Sequence, residues 1–99
     1  MRYHFKVHKE KKGFWAQCIE LVGCVTEADS LEELQKNMQE ALNLYVEEPE
    51  NSKELVALPD ETIHVSRNIV EVVLDPQIAF AFMVRYNRIK QGLTQQQAA

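Results

Sequence analysis

Glycine, proline and cysteine are scarce in this 99-residue chain, with three, three and two residues respectively. The glycines stand far apart, so the chain lacks a glycine-rich loop of the kind that cradles phosphates. No apolar run approaches the roughly 20 residues that a membrane-spanning helix needs. The basic N-terminus lacks the apolar stretch of a signal peptide, and no serine lies in a nucleophile-elbow sequence. We therefore expect a cytoplasmic protein that does no catalysis and uses no cofactor.

The two cysteines, Cys18 and Cys24, have a spacing that matches no common zinc motif. A cytoplasmic chain keeps its thiols reduced, which favours buried apolar packing over a disulfide or a metal role. His4, His8 and His64 have no Cys or His at a ligand spacing. His4 and His8 fall on the polar side of the first predicted strand, so we expect both side chains to be solvated.

Four segments have the pattern of β-strands. Residues 2–8 alternate between polar and apolar side chains, which is the period of a strand with one buried face. Residues 14–19 and 24–28 follow after short polar connections, so the three strands are predicted to form an antiparallel meander. Residues 67–74 are strongly β-branched and predict a last strand, with residues 69–74 joining the same sheet.

A helix is predicted to follow the third strand. Ser30 and Glu33 are spaced as a capping box, in which the serine hydroxyl accepts from the amide three residues later. Apolar residues then recur at steps of three and four, a stripe that can cover one face of the sheet. Pro49 restricts the residue before it and is predicted to end the helix. Residues 49–68 are predicted to be a connection.

A second helix is predicted from Asp75 as N-cap and Pro76 as first helical residue, and extends to about residue 90. It has two apolar faces, and a chain this small can cover one of them with another subunit. The predicted dimerisation residues are Phe80, Met83 and Val84.

The end of the chain resembles part of a helix-turn-helix motif. Gly92 is predicted to cap the second helix, and Thr94 to begin a further helix that is incomplete within these 99 residues. In such motifs the start of the following helix meets a phosphate through backbone amides and a Gln side chain. The predicted DNA-contact residues are Arg88, Thr94, Gln95 and Gln96.

The net charge of −4 is unevenly distributed along the chain. Residues 1–19 carry five Lys/Arg and one Glu, residues 20–61 carry twelve Asp/Glu and two Lys, and residues 62–99 carry four Lys/Arg and two acids. An acidic middle favours a basic partner, and a mildly basic end is compatible with nucleic acid. A solvated helix face is the simpler explanation for any single charge.

Several motifs resemble the HicB family of antitoxins. The sequences GFWA at 13–16, GCVT at 23–26 and DSLEE at 29–33 are similar to that family's pattern. The segment from VVLDP at 72–76 to LTQ at 93–95 resembles the subclass that ends in a Cro/repressor-type helix-turn-helix. Ile19-Glu20 stands where the family usually has Pro-Asp.

This resemblance implies an α+β fold: a β-β-β-α-β antiparallel sheet with one covering helix, like a degenerate RNase H domain. It implies that residues 1–74 neutralise a toxin, and that residues 75–99 begin a region for DNA binding and dimerisation. The implied partners are a HicA-like mRNA-cleaving toxin, operator DNA in the full-length form, and a homodimer or higher even-numbered oligomer. The predicted toxin-contact residues are Trp15, Glu20, Glu27, Glu32 and Glu33.

Two alternative functions remain open from the sequence. One is a free-standing transcription regulator that has no toxin partner. The other is a metal-dependent, RNase H-like nuclease in which Glu20, Glu27 and Asp29 hold magnesium.

Overall fold

Four antiparallel strands form one sheet, and two helices complete the fold. The computed structural model describes residues 1–47 and 56–98, with side chains to residue 92. In chain order the elements are β1 (Arg2–Glu10), β2 (Gly13–Cys18), β3 (Val25–Ala28), α1 (Leu31–Val46), β4 (Ile69–Val73) and α2 (Pro76–Ala98). The strand order across the sheet is β3-β2-β1-β4. The predicted α+β class and the β-β-β-α-β order are therefore confirmed.

The core lies between the sheet and α1. Tyr3 and Phe5 of β1 are fully buried, as the alternation of that strand predicts. Leu34 and Leu42, on the apolar stripe of α1, are equally buried and belong to the same hydrophobic cluster. Burying each such side chain contributes about 1.5–3 kcal/mol, so this contact holds the helix on the sheet.

The predicted N-cap of α1 at Ser30 is confirmed. The backbone amide of Glu33 donates to the Ser30 hydroxyl at 3.2 Å, which satisfies one of the free amides in the first turn. The helix ends at Val46, before the predicted stop at Pro49, which lies outside the described residues.

Two amide side chains of α1 reach opposite edges of the sheet. Asn37 donates from Nδ2 to the carbonyl of Glu27 in β3, the strand at one edge. Gln39 donates from Nε2 to the carbonyl of Val73 in β4, the strand at the other edge. The two outermost strands are thus each tied to the covering helix by a hydrogen bond.

The start of α2 is also as predicted, because the backbone amide of Gln77 donates to Oδ1 of Asp75 at 2.9 Å. Its end differs from the prediction: the helix continues through Gly92 to Ala98, without a turn at residues 91–92. Gly92 does not take a positive φ, so it does not form the C-cap that the sequence suggests. A single glycine inside a helix costs only about 1 kcal/mol, which strong helix formers on either side can offset.

Arg85 fastens α2 to the end of α1. Its side chain is buried, and Nη2 donates to the carbonyl of Val46 at 3.2 Å. The guanidinium carbon also lies 5.6 Å from the ring centroid of Phe82, which is itself buried in the core. A cation at the C-terminal end of α1 is favoured by the helix dipole and by the free carbonyls there.

Among the residues described, neither helix is both long enough and apolar enough to span a membrane.

Candidate partner-binding groove

A groove of about 760 Å³ opens at one end of the sheet, where the β1–β2 turn, β3 and the start of α1 meet. We call it the β3 groove. Acidic, aromatic and small apolar side chains share its lining. The residues that line it are Glu10, Lys12, Phe14, Trp15, Val25, Thr26, Glu27, Ala28, Asp29 and Glu33.

The β3 groove is strongly acidic. Four carboxylates line it, against the one ammonium group of Lys12. Glu27, Asp29 and Glu33 are all exposed, so their charges meet solvent and any approaching partner. Clustered charges of one sign in a concave surface raise the local potential and attract partners of opposite charge.

Trp15 is held in a defined orientation at the groove. It lies directly opposite His8 on β1, and the two rings stack with centroids 4.1 Å apart and planes 13° from parallel. On its other side it lies opposite Glu27 on β3. A half-buried tryptophan fixed in this way offers a partner a large apolar surface with little loss of side-chain entropy.

Gly13 allows the chain to close tightly beside the groove. It begins β2 with φ of +107°, a conformation that other residues rarely adopt. A Cβ atom at this position would lie 2.7 Å from the carbonyl oxygen of Ala28. The close approach of the β1–β2 turn to the end of β3 therefore requires glycine.

The structure brings together three of the five predicted toxin-contact residues. Trp15, Glu27 and Glu33 all line the β3 groove. Glu32 is exposed on the first turn of α1 but does not line it. Sequence reasoning missed Glu10, Lys12 and the support from His8. The hairpin pairing of β1 with β2 places these residues, and the short polar connection predicted between these two strands was the signal that could have indicated them.

The prediction that Glu20 contacts a partner is corrected by its position. Its side chain is only 3% exposed, and it is turned towards His4 rather than towards the β3 groove. Its carboxylate accepts hydrogen bonds from the backbone amides of His4 at 2.9 Å and Asp60 at 3.1 Å. A carboxylate used in this way inside the protein is not available to a partner surface.

The expectation of a solvated His4 is wrong for the same reason. Nδ1 of His4 lies 2.7 Å from Oε2 of Glu20, and the histidine is only 5% exposed. The alternation of β1 places His4 on the polar side, but residues 58–63 lie against this part of the strand. This arrangement also separates Glu20 from Glu27 and Asp29, the trio of the nuclease alternative. Within residues 1–47 and 56–98, no three His, Cys, Asp or Glu side chains are grouped to hold a metal ion.

The predicted dimerisation residues differ in exposure. Phe80 is 74% exposed and Val84 is 43% exposed, so both present apolar surface to solvent. Met83 instead packs against the core of its own chain. Exposed aromatic residues on a helix face are typical of surfaces that a partner covers.

Of the predicted DNA-contact residues, Arg88 is exposed on α2. The side chains of Thr94, Gln95 and Gln96 lie outside the part of the chain whose side chains are described.

Comparison of the chain with models of known protein families finds no match, and comparison with curated proteins finds none either.

Proposed function

We propose that this chain is a HicB-like antitoxin, which binds a small, basic, HicA-like ribonuclease toxin and covers the surface with which that toxin binds mRNA. The observation that carries the proposal is the β3 groove, where Trp15 stands among four carboxylates. An RNA-binding surface is basic because it must meet phosphates. An acidic groove is complementary to such a surface and competes with RNA for it.

The two parts of the groove have different roles in this proposal. Trp15 is the apolar anchor, since its ring is already oriented by the stack on His8. Glu27, Asp29 and Glu33 provide charge complementarity, which raises the association rate and the specificity more than the affinity itself. In this proposal the sheet and α1 support the groove, as in a degenerate RNase H domain that lacks the catalytic acids.

Operon repression is the second part of the proposal. The exposed surface of α2 supports it, whereas the predicted helix-turn-helix does not, because α2 runs through residues 91–92 without a turn. Arg88 is an exposed cation on α2 and is suited to a phosphate contact. Phe80 and Val84 would join two copies, so that paired DNA-binding ends meet two half-sites of an operator.

The proposal requires the adjacent gene to encode a small basic protein, and co-expression with that gene's product tests the toxin-binding part. We expect the two proteins to co-purify, and the antitoxin to stop cleavage of mRNA by that protein. Trp15→Ala is expected to weaken binding by at least about 30-fold, because removing a central aromatic anchor costs roughly 2–4 kcal/mol.

A matched pair of double variants tests the charge contribution. Glu27→Gln with Glu33→Gln removes two charges from the groove, whereas Glu40→Gln with Glu47→Gln removes two exposed charges elsewhere on or next to α1. The first is expected to weaken binding about tenfold, mainly through slower association. The second is expected to leave affinity unchanged. Equal effects of the two double variants, or unimpaired binding by Trp15→Ala, would contradict the proposed interface.

A further inference from the structure

Cys18 and Cys24 face each other across the end of the β2–β3 hairpin. Cys18 is the last residue of β2, Cys24 immediately precedes β3, and the amide of Cys18 donates to the carbonyl of Cys24 at 2.9 Å. Extending the β2–β3 register by one step from Gln17 and Val25 places Cys18 opposite Cys24, and opposite residues of antiparallel strands have Cα atoms about 4.5–5.5 Å apart. A disulfide spans Cα separations of about 4.4–6.8 Å, so the backbone already holds these cysteines at bridging distance.

The two thiols also interact with each other. Both cysteines are free and buried. The proximity of the two thiols, and then burial, raise the pKa of Cys18, whereas the same proximity lowers the pKa of Cys24. The thiolate is the reactive form of cysteine. Cys18 Sγ donates to Oε1 of Glu20 at 3.8 Å, which favours the protonated thiol at Cys18 and leaves Cys24 as the nucleophile of the pair.

The thiols lie next to a surface turn rather than deep in the core. Val22, two residues before Cys24, is 89% exposed, and the turn of residues 19–23 separates the two cysteines in the chain. A small oxidant therefore has a short path to Cys24 through local opening of this turn.

We propose that Cys18 and Cys24 form a reversible intramolecular disulfide in response to a hydroperoxide. The Cys24 thiolate attacks one peroxide oxygen, the O–O bond breaks, and sulfenic acid and hydroxide result. The Cys18 sulfur then attacks the sulfenic sulfur and loses its proton, the S–O bond breaks, and water leaves as the S–S bond forms. In total, two thiols lose two electrons and one molecule of hydrogen peroxide is reduced to two of water.

Oxidation has a structural consequence for the turn that the bridge closes. Residues 19–23 include Leu21, which is buried in the core, and Glu20, whose carboxylate accepts from Cys18 Sγ at 3.8 Å and from the Asp60 amide. Closing a ring of residues 18–24 restricts the unfolded chain and fixes this turn in the folded one. The oxidised protein is therefore expected to be more stable, with a melting temperature higher by roughly 10 °C.

Treatment of the full chain with hydrogen peroxide tests the inference. Free thiols are blocked with N-ethylmaleimide under denaturing conditions, and intact mass and peptide masses are then measured. We expect a monomer with two hydrogens fewer, no remaining free thiol, a Cys18–Cys24 peptide pair, and full reversal by dithiothreitol. The melting temperature of the oxidised monomer is expected to rise and to return on reduction.

Other products would overturn the inference. These are two thiols that stay free, separate addition of oxygen atoms to each sulfur, or disulfide-linked dimers. Formation of the bridge only in denaturant would also count against it, because the folded geometry is then not what aligns the thiols. Cys24→Ser is the control, and it should give no loss of hydrogens under the same treatment; a circular dichroism spectrum establishes that it folds.

Discussion

Nδ1 of His4 lies 2.7 Å from Oε2 of Glu20, and the two side chains are 6% and 3% exposed respectively. The same carboxylate accepts from the backbone amides of His4 and Asp60. One side chain therefore joins the start of β1, the β2–β3 turn and the segment after residue 56. A buried carboxylate is tolerated only with such a full set of donors.

Replacing this carboxylate with a neutral amide should destabilise the fold. In Glu20→Gln, an NH₂ donor replaces one carboxylate oxygen, so one of the groups that donate to Glu20 loses its acceptor. We expect a loss of about 2–4 kcal/mol in unfolding free energy. Urea denaturation followed by circular dichroism measures it. The control is Glu40→Gln, an exposed residue of α1, expected to change stability by less than about 0.5 kcal/mol. Equal stability of the two variants would show that the Glu20 contacts contribute nothing.

Alanine variants of the two glycines with positive φ distinguish the cost of backbone strain from the cost of a steric clash. Gly13 and Gly23 have φ of +107° and +92°, but only at Gly13 would a Cβ atom meet a neighbour within 4 Å. Both alanine variants should lose about 1–2 kcal/mol through strain. Gly13→Ala should lose clearly more, because the Ala28 carbonyl must move away. Thermal melts of the two variants test this, and a larger loss at Gly23 would contradict it.

A substitution at Gly92 tests whether α2 is continuous or ends at this residue. No atom lies within 4 Å of a Cβ atom built at this position, and α2 continues through it. Gly92→Ala should therefore stabilise the protein by about 0.5–1 kcal/mol and increase the helical signal in circular dichroism. At a left-handed cap the same change would be destabilising. A lower melting temperature for Gly92→Ala would instead support the turn that the sequence predicts at residues 91–92.

Tyr3 should make stability sensitive to alkaline pH. Burial, with a smaller contribution from the negative charge of Glu20, raises the pKa of its phenol above the ordinary value of 10.0. The folded state thus favours the protonated phenol, whose contribution is complete below pH 10 and is lost as pH rises through the folded pKa.

The variant Tyr3→Phe isolates this effect. It lacks the hydrogen bond from the Tyr3 hydroxyl to the Ala57 carbonyl, so it should be about 1 kcal/mol less stable than the parent at neutral pH. This difference should shrink above pH 10, because ionisation of the phenol then stabilises the unfolded state of the parent, and the Phe variant has no phenol. Urea denaturation at several pH values measures it, and a difference that widens with pH would reverse the assigned direction.

The exposed face of α2 should mediate self-association. Phe80→Glu places a charge at the centre of the proposed contact with Val84, so the variant should be monomeric at concentrations where the parent is dimeric. Sedimentation velocity measures the difference. Gln35→Glu, an exposed change on α1 rather than on this face of α2, adds the same charge and should leave the dimer intact. A parent chain that is monomeric at all concentrations would refute this interface.

Local patterns were sufficient to predict most of the fold. The buried apolar positions Tyr3 and Phe5 of β1, the Ser30 N-cap and the Asp75 N-cap depend on residues within a few positions of each other, and all are confirmed. The burial of His4 and Glu20 could not be predicted in this way. It depends on the Asp60 amide, 40 residues further along the chain, and on a segment without regular secondary structure.

The candidate site was predictable to the same extent. Trp15 and Glu27 are opposite each other because β2 and β3 form a hairpin, which the sequence indicates. Glu33 joins them because α1 begins directly after β3. Lys12 and Glu10 depend on how closely the β1–β2 turn approaches β3, and that distance is set by the backbone of Gly13 rather than by any side-chain pattern.

The amide side chains of Asn37 and Gln39 bear on aggregation. Each occupies an outward-facing carbonyl of an outermost strand, Glu27 in β3 and Val73 in β4. An unoccupied strand edge is a template on which further chains add as strands, with polymerisation as the result. With both edges partly blocked from within, growth of a continuous intermolecular sheet is disfavoured at either side. A double change of Asn37 and Gln39 to alanine would therefore be expected to appear first as precipitation on storage, before any loss of folding.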